Sequence, residues 1–204
     1  DAAHGCDPYL ENEGTLWLVH WLLVTNASVA TTPFFAFCEW NDTRFTRAGL
    51  ENAIGKLAER MGARATATTV KRDVGVFIRT YSESTAGSRV ALEDGLDSPL
   101  TDLGLLHESE GEQAYFFSRG PKDSLPDHVL WFALDDYRHM RGDPSTLTFG
   151  DLAYAAFSPG RVFKLDEPGL AERLERLGSA TGGAWQLTET AGYRQIVVQK
   201  DLDA

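Results

Sequence analysis

The chain has 204 residues, 43% of them hydrophobic and 11% aromatic, and a formal net charge of −11. That hydrophobic share excludes a disordered segment, and the length suffices for a buried core in one large domain or two small ones. The negative balance argues against a chain that coats nucleic acid non-specifically, because that needs clustered Lys and Arg.

Asp7-Pro8 reads as a cap followed by proline in a first helical turn, ahead of Leu16 to Val24, where apolar residues point to every side. Such a helix is expected at the centre of a core. This apolar run holds His20 and is too short to cross a bilayer of roughly 30 Å, so no membrane span is expected. Thr32-Pro33 repeats the start signal before the aromatic run Phe34, Phe35, Phe37 and Trp40. Thr46 can cap a helix with apolar positions Leu50, Ile54, Leu57 and Met61, ended by Gly62. Thr68 can cap the next, whose Val70, Val74, Phe77, Ile78 and Tyr81 form one apolar stripe. A loop rich in Ser, Gly and Ala follows and is expected to be mobile. Ser98-Pro99 then precedes two short strands, near Leu103 to His107 and Gln113 to Ser118, joined through Glu108 to Glu112 as a hairpin.

The pattern then runs again. Ser124 and Asp127 resemble a capping box for a helix through Met140, and Thr148 and Asp151 another for a helix to about Phe157. Asp166 caps a helix bearing Leu170, Leu174 and Leu177, and Gly182-Gly183 ends it. Strands Trp185 to Thr188 and Arg194 to Gln199 flank a turn at Ala191-Gly192. The expected fold class is therefore α+β and predominantly helical, as two consecutive helix-bundle-plus-β-hairpin units resembling winged helices. Their expected spans are 1–120 and 121–204, alike in architecture and not in residue-for-residue sequence.

Cys6 and Cys38 are too few and too far apart for a disulfide framework or a four-ligand zinc site, and read as reduced thiols in a cytoplasmic protein. The start at Asp1, without a signal peptide, points to a piece of a longer protein with its amino-terminal part absent. Charge is unevenly spread. From Asp42 to Arg79 eight basic residues stand against four acidic ones, while Ala91 to Gln113 holds seven acidic residues and no Lys or Arg.

A phosphate-cradling glycine loop, a paired-histidine zinc helix and a nucleophile elbow are all missing. Four constellations remain. Glu93, Asp94 and Asp97 are spaced closely enough to converge on Mg²⁺ or another divalent cation, which would polarise a phosphodiester; otherwise they form a solvated loop with Asp97 capping the turn at Ser98-Pro99. His128, Asp135 and His139 share one helical stripe; Asp135 and His139 could hold two positions of a metal, with His128 too distant to join them, but two ligands without a third are common by chance and a plain exposed polar face is the favoured reading. Lys71, Arg72 and Arg79 sit on the helix in the recognition position of a winged helix, either touching phosphate or pairing internally with Asp73 and the acidic loop. His20 reads as a neutral core histidine.

Several segments stand in an order that resembles a known family. DPYLE at Asp7 to Glu11, TLWLVHW at Thr15 to Trp21, KRDV at Lys71 to Val74 and RTY at Arg79 to Tyr81 come first. ED at Glu93-Asp94, DSPLTDLGLL at Asp97 to Leu106 and SPGRVFKL at Ser158 to Leu165 follow. Together they resemble the carboxy-terminal region of the SspB family of bacterial DNA phosphorothioation systems, long filed as a domain of unknown function. The resemblance implies a partner of the enzymes that place sulfur in the DNA backbone, acting as a DNA-nicking component in anti-phage defence. It also implies an absent amino-terminal half, and it assigns no catalytic residue. The expectation is a metal-dependent nicking endonuclease in which Lys71, Arg72 and Arg79 bind DNA and Glu93, Asp94 and Asp97 hold the cation. One alternative is a non-catalytic adaptor docking the sulfurtransferase and ATPase subunits, and another is a transcription regulator, which would use a symmetric dimer. Self-association is left open by the sequence.

Overall fold

Side-chain oxygens set where most of the longer helices begin. Thr46 Oγ1 accepts the amide of Gly49 at 3.1 Å, Thr66 Oγ1 that of Thr69 at 3.2 Å, Thr148 Oγ1 that of Asp151 at 3.0 Å and Asp166 Oδ1 that of Gly169 at 2.9 Å. Each satisfies a first-turn amide that has no partner inside the helix. The computed structural model describes residues 7, 10–28, 30–82, 98–109, 111, 113–190 and 192–199. The chain divides into two units, Asp1–Ser118 and Arg119–Ala204.

In the first unit α1 (Glu13–Thr25) is followed by α2 (Thr31–Phe34), which widens into a π-helical turn at Phe35–Glu39. The wide turn lets four successive residues, Phe35 to Cys38, all be buried. Then come β1 (Arg44–Thr46), α3 (Arg47–Arg60), α4 (Ala67–Tyr81), a 3₁₀ turn at Pro99–Leu103, β2 (Leu106–Glu108) and β3 (Ala114–Phe117). The sheet is antiparallel in the order β1-β3-β2, with Phe45 opposite Tyr115 and Leu106 opposite Phe117. Trp17, Trp21, Phe37, Phe77 and Tyr81, all fully buried, build an aromatic core between the helices.

The second unit repeats the plan with α5 (Asp127–Met140), β4 (Thr146–Thr148), α6 (Phe149–Tyr154), α7 (Pro159–Val162), α8 (Glu167–Ala180), β5 (Trp185–Thr190) and β6 (Tyr193–Val198). Its sheet runs β4-β6-β5, antiparallel, and Leu147, Ile196 and Leu187 meet across the three strands. In both units a three-residue strand ends on a threonine that also caps the next helix, and that strand pairs with the last strand of the hairpin. This is winged-helix topology, with α4 and α8 in the two recognition-helix positions. Among the described residues no helix is long and apolar enough to cross a membrane.

The structure corrects several local expectations. α1 is capped by Asn12, whose Oδ1 accepts Gly14 N at 2.8 Å, while the Asp7 carboxylate takes the amides of Glu11 and Asn12 one turn earlier. α1 is also not wholly enclosed: Leu22 is 51% exposed. Thr66, not Thr68, caps α4, which places Thr68 inside the first turn. Leu103 belongs to the 3₁₀ turn and the strand begins at Leu106, because Gly104 takes φ +55° and ends the turn. Ser124 does not cap α5; extended Pro126 precedes the helix, and Asp127 becomes its first residue. α6 stops at Tyr154 and Phe157 adopts φ +66°, so Ser158 can start α7 afresh by accepting Arg161 N at 3.3 Å.

Candidate nucleic-acid interface

Five buried apolar residues of α4, Val70, Val74, Phe77, Ile78 and Tyr81, turn one face of that helix into the core. The opposite edge is left to water, and it carries Lys71, Arg72, Asp73, Val76 and Arg79, all exposed. Arg72 and Arg79 lie two turns apart, about 10 Å along the axis, with the 47%-exposed Val76 between them. Among the described residues none of the side chains of Lys71, Arg72 and Arg79 forms an ion pair, and Asp73 is not bridged to them. The internal network with Asp73 is therefore not formed. Glu93, Asp94 and Asp97, the other half of that alternative and the candidate cation ligands, lie outside the described residues.

Arg47 has a different fate from its basic neighbours. Its guanidinium donates to the Lys71 carbonyl at 3.1 Å and to Glu51 Oε1 at 3.1 Å, tying the start of α3 to α4. Gly75 makes room for it, since a Cβ there would stand 2.8 Å from Arg47 Nη2. Arg47 thus positions the helix whose outer edge is cationic, a role that its place in a basic segment did not reveal.

α8 occupies the same position in the second unit and has the opposite character. Its outward side chains are Glu167, Glu172, Glu175 and Arg176. Arg176 is engaged by Asp127 at 2.9 Å and Glu172 at 2.6 Å. Arg173 turns inward, 6% exposed, and donates to the carbonyls of Leu125, Lys122 and Pro121 and to Asp127 Oδ1. A groove of about 600 Å³ between α5 and α8 is lined by Asp127, Trp131, Glu172, Glu175 and Arg176. The spacing did carry a signal for Arg173, since it shares the helical stripe of Leu170, Leu174 and Leu177 that turns toward the core.

His128, Asp135 and His139 are all exposed. His139 Nδ1 lies 2.7 Å from the Asp135 carbonyl oxygen and Nε2 3.6 Å from Asp143 Oδ1. The bond to the Asp135 backbone, then the charges of Asp135 and Asp143, push the His139 imidazole above its usual range. This is a surface charge network: among the described residues no three His, Cys, Asp or Glu side chains come together to hold a metal. His20 is fully buried, with Nδ1 2.9 Å from Tyr81 Oη and its ring edge-on to Phe37 at 4.8 Å, a core histidine. Cys38 is a buried thiol outside any disulfide, its Sγ 3.7 Å from the Val24 carbonyl oxygen, and Cys6 lies outside the described residues.

Residues 1–204, the whole chain, match the model of a family described as a protein of unknown function, DUF4007. The chain belongs to the DUF4007 family. No curated protein matches it. Among solved structures, this DUF4007 chain is similar to an SspB crystal structure, with a TM-score of 0.83 and 29% identity over 96% of its length. A magnesium-ion-bound SspB crystal structure is similar to the same extent, with a TM-score of 0.84 and 28% identity. The likeness to SspB that the ordered motifs suggested is thus borne out, and the chain spans 58% of the length of those SspB chains.

Proposed function

We propose that this DUF4007 chain is the DNA-engaging part of a DNA-nicking component in a bacterial DNA phosphorothioation and anti-phage system, acting in the cytoplasm. The observation that carries the reading is the cationic edge of α4. Lys71, Arg72 and Arg79 stand exposed in a recognition-helix position and form no ion pair among the described residues. Each is free to neutralise a phosphate, which locates a protein on the duplex without reading its sequence. The similarity to SspB supports the system to which that binding belongs. Glu93, Asp94 and Asp97 are assigned to Mg²⁺ or another divalent cation on the strength of their spacing, and the magnesium-bound SspB accords with such an ion.

A second reading, the adaptor that docks the sulfurtransferase and ATPase subunits, draws support from α8. Its outward carboxylates repel a polyanion and suit a protein partner better. Stable capture of those subunits by a chain that neither binds duplex nor nicks it would favour the adaptor.

The test of the leading reading is the salt dependence of duplex binding, followed by fluorescence anisotropy. Each phosphate contact adds about 0.9 to the slope of log affinity against log salt, so Lys71→Gln, Arg72→Gln and Arg79→Gln together should flatten it by about 2.7. Between 50 and 200 mM salt that is roughly a 40-fold change in affinity no longer seen. A folded triple variant with the wild-type slope overturns the assignment.

A further inference from the structure

The sheet of the first unit has a buried face and a solvent face, as antiparallel sheets commonly do. Phe45, Tyr115, Phe117 and Leu106 share the inner face, and the rings of Phe45 and Phe117 lie 5.4 Å apart. On the outer face one row crosses all three strands. Arg44 of β1 stands opposite Phe116 of β3, which stands opposite His107 of β2. The Phe116 ring is 39% exposed in the middle of the central strand. The imidazole of His107 lies 5.5 Å from it, with the two planes 34° apart. From the other side Arg44 reaches across β3 and donates to Ser109 Oγ at 3.1 Å.

A solvent-facing position on a strand is served as well by threonine, so a bare phenyl ring there is not explained by the fold. Its neighbours narrow the choice of ligand. An exposed phenyl flanked by an imidazole and a guanidinium is a row of flat π surfaces with donors at both ends, which is the chemistry that stacks nucleobases. The apolar area is one ring, small for a protein interface, and Arg44 sets a cation in the row beside it. Bases inside a duplex already stack on one another and cannot lie on Phe116; a base without a partner can.

We infer that the row Arg44, Phe116 and His107 is a stacking platform for an unpaired base, so that the ligand of this unit is DNA opened locally into single strand. This rests on the reading that the chain engages DNA. It adds that the hairpin sheet recognises the unpaired part while α4 holds the duplex.

The test uses the full chain and a fluorescein-labelled duplex with a short loop of unpaired thymines, compared with the same duplex carrying abasic sites in the loop. The two have equal charge and differ only in the bases. Wild type should prefer the base-bearing loop about tenfold, Phe116→Ala should abolish the preference, and Phe116→Trp should restore it. Because Phe116 faces water, its variants should keep the wild-type far-ultraviolet circular dichroism, and plain duplex binding should be unchanged. A wild type that binds plain duplex but shows no preference for bases in the loop, or a Phe116→Ala variant that retains the preference, overturns this inference alone. A chain that binds neither DNA overturns it together with the proposed function.

Discussion

Replacing Arg173 by methionine keeps the aliphatic stem that packs inside the second unit and removes the guanidinium. That group donates to the carbonyls of Leu125, Lys122 and Pro121 at 2.7, 2.6 and 3.2 Å, and to Asp127 Oδ1 at 2.8 Å. Asp127 is not orphaned by the change, because Arg176 Nε stays 2.9 Å from Oδ2, so the loss falls mainly on the three carbonyls. At about 1 kcal/mol for each hydrogen bond, Arg173→Met costs about 3 kcal/mol. For a unit of this size the melting midpoint falls by roughly 12 to 24 °C, read by circular dichroism and checked by urea titration with an unchanged slope. Arg173→Lys should fall nearly as far, since one ammonium cannot span acceptors that a planar fork reaches together. The side-chain bond from Arg176, then the charges of Arg176 and Arg173, hold the Asp127 carboxyl below its ordinary 3.8. The stability it contributes is present above that ordinary value and is lost as pH falls through the lower folded one, so the methionine variant should lose less on acidification. A midpoint within about 2 °C of wild type would refute the view that Arg173 pins the segment between Pro121 and Asp127.

Gly160→Ala would place a methyl 2.7 Å from the Leu152 carbonyl oxygen and 2.8 Å from Ala153 Cα. Both are backbone atoms, so the variant should lose about 2 kcal/mol in urea unfolding, and an unchanged midpoint would show that α6 and α7 separate freely. Burial, then the neighbouring Cys38, push the Tyr81 hydroxyl far above its ordinary 10.0. The unfolded chain then releases a proton that the folded chain keeps, so stability should fall as pH rises above 10.0, and Tyr81→Phe should flatten that decline; an identical alkaline limb would contradict it. Alanine at both Asp94 and Asp97 should abolish Mg²⁺-dependent conversion of supercoiled plasmid to open circle while the protein stays folded. Unchanged nicking by that double variant removes the cation assignment.

The parts of the fold legible in the residues were those decided within one or two helical turns. Thr46, Asp166 and the Thr148-Asp151 pair cap where their spacing indicated, because a side-chain oxygen and an amide three residues on meet whatever the rest of the chain does. Both hairpins were legible for the same reason. β1 and β4 were not: Arg-Phe-Thr and Thr-Leu-Thr are too short to show alternation, and Phe45 finds Tyr115 and Leu147 finds Ile196 only after the intervening helices have packed. The choice of Thr66 over Thr68 was equally hidden, because both threonines offer the same oxygen and only packing of Val70 and Val74 sets the register.

Of the candidate interface, the sequence alone determined which residues could be cationic and that Lys71, Arg72 and Arg79 would share a helix with a buried apolar face. It also determined the class of fold, since apolar period and cap spacing are local properties. Only the tertiary structure decided which cations remain available to a partner. Arg173 is buried among backbone carbonyls and Arg47, though exposed, is engaged by the Lys71 carbonyl and Glu51, while Arg72 and Arg79 face water without an ion pair among the described residues. It alone brought Arg44, Phe116 and His107 into one row, because residues far apart in the chain become neighbours only when strands pair. An arginine's chemistry is written in its identity, but whether its charge faces a carbonyl or the solvent depends on what folds against it.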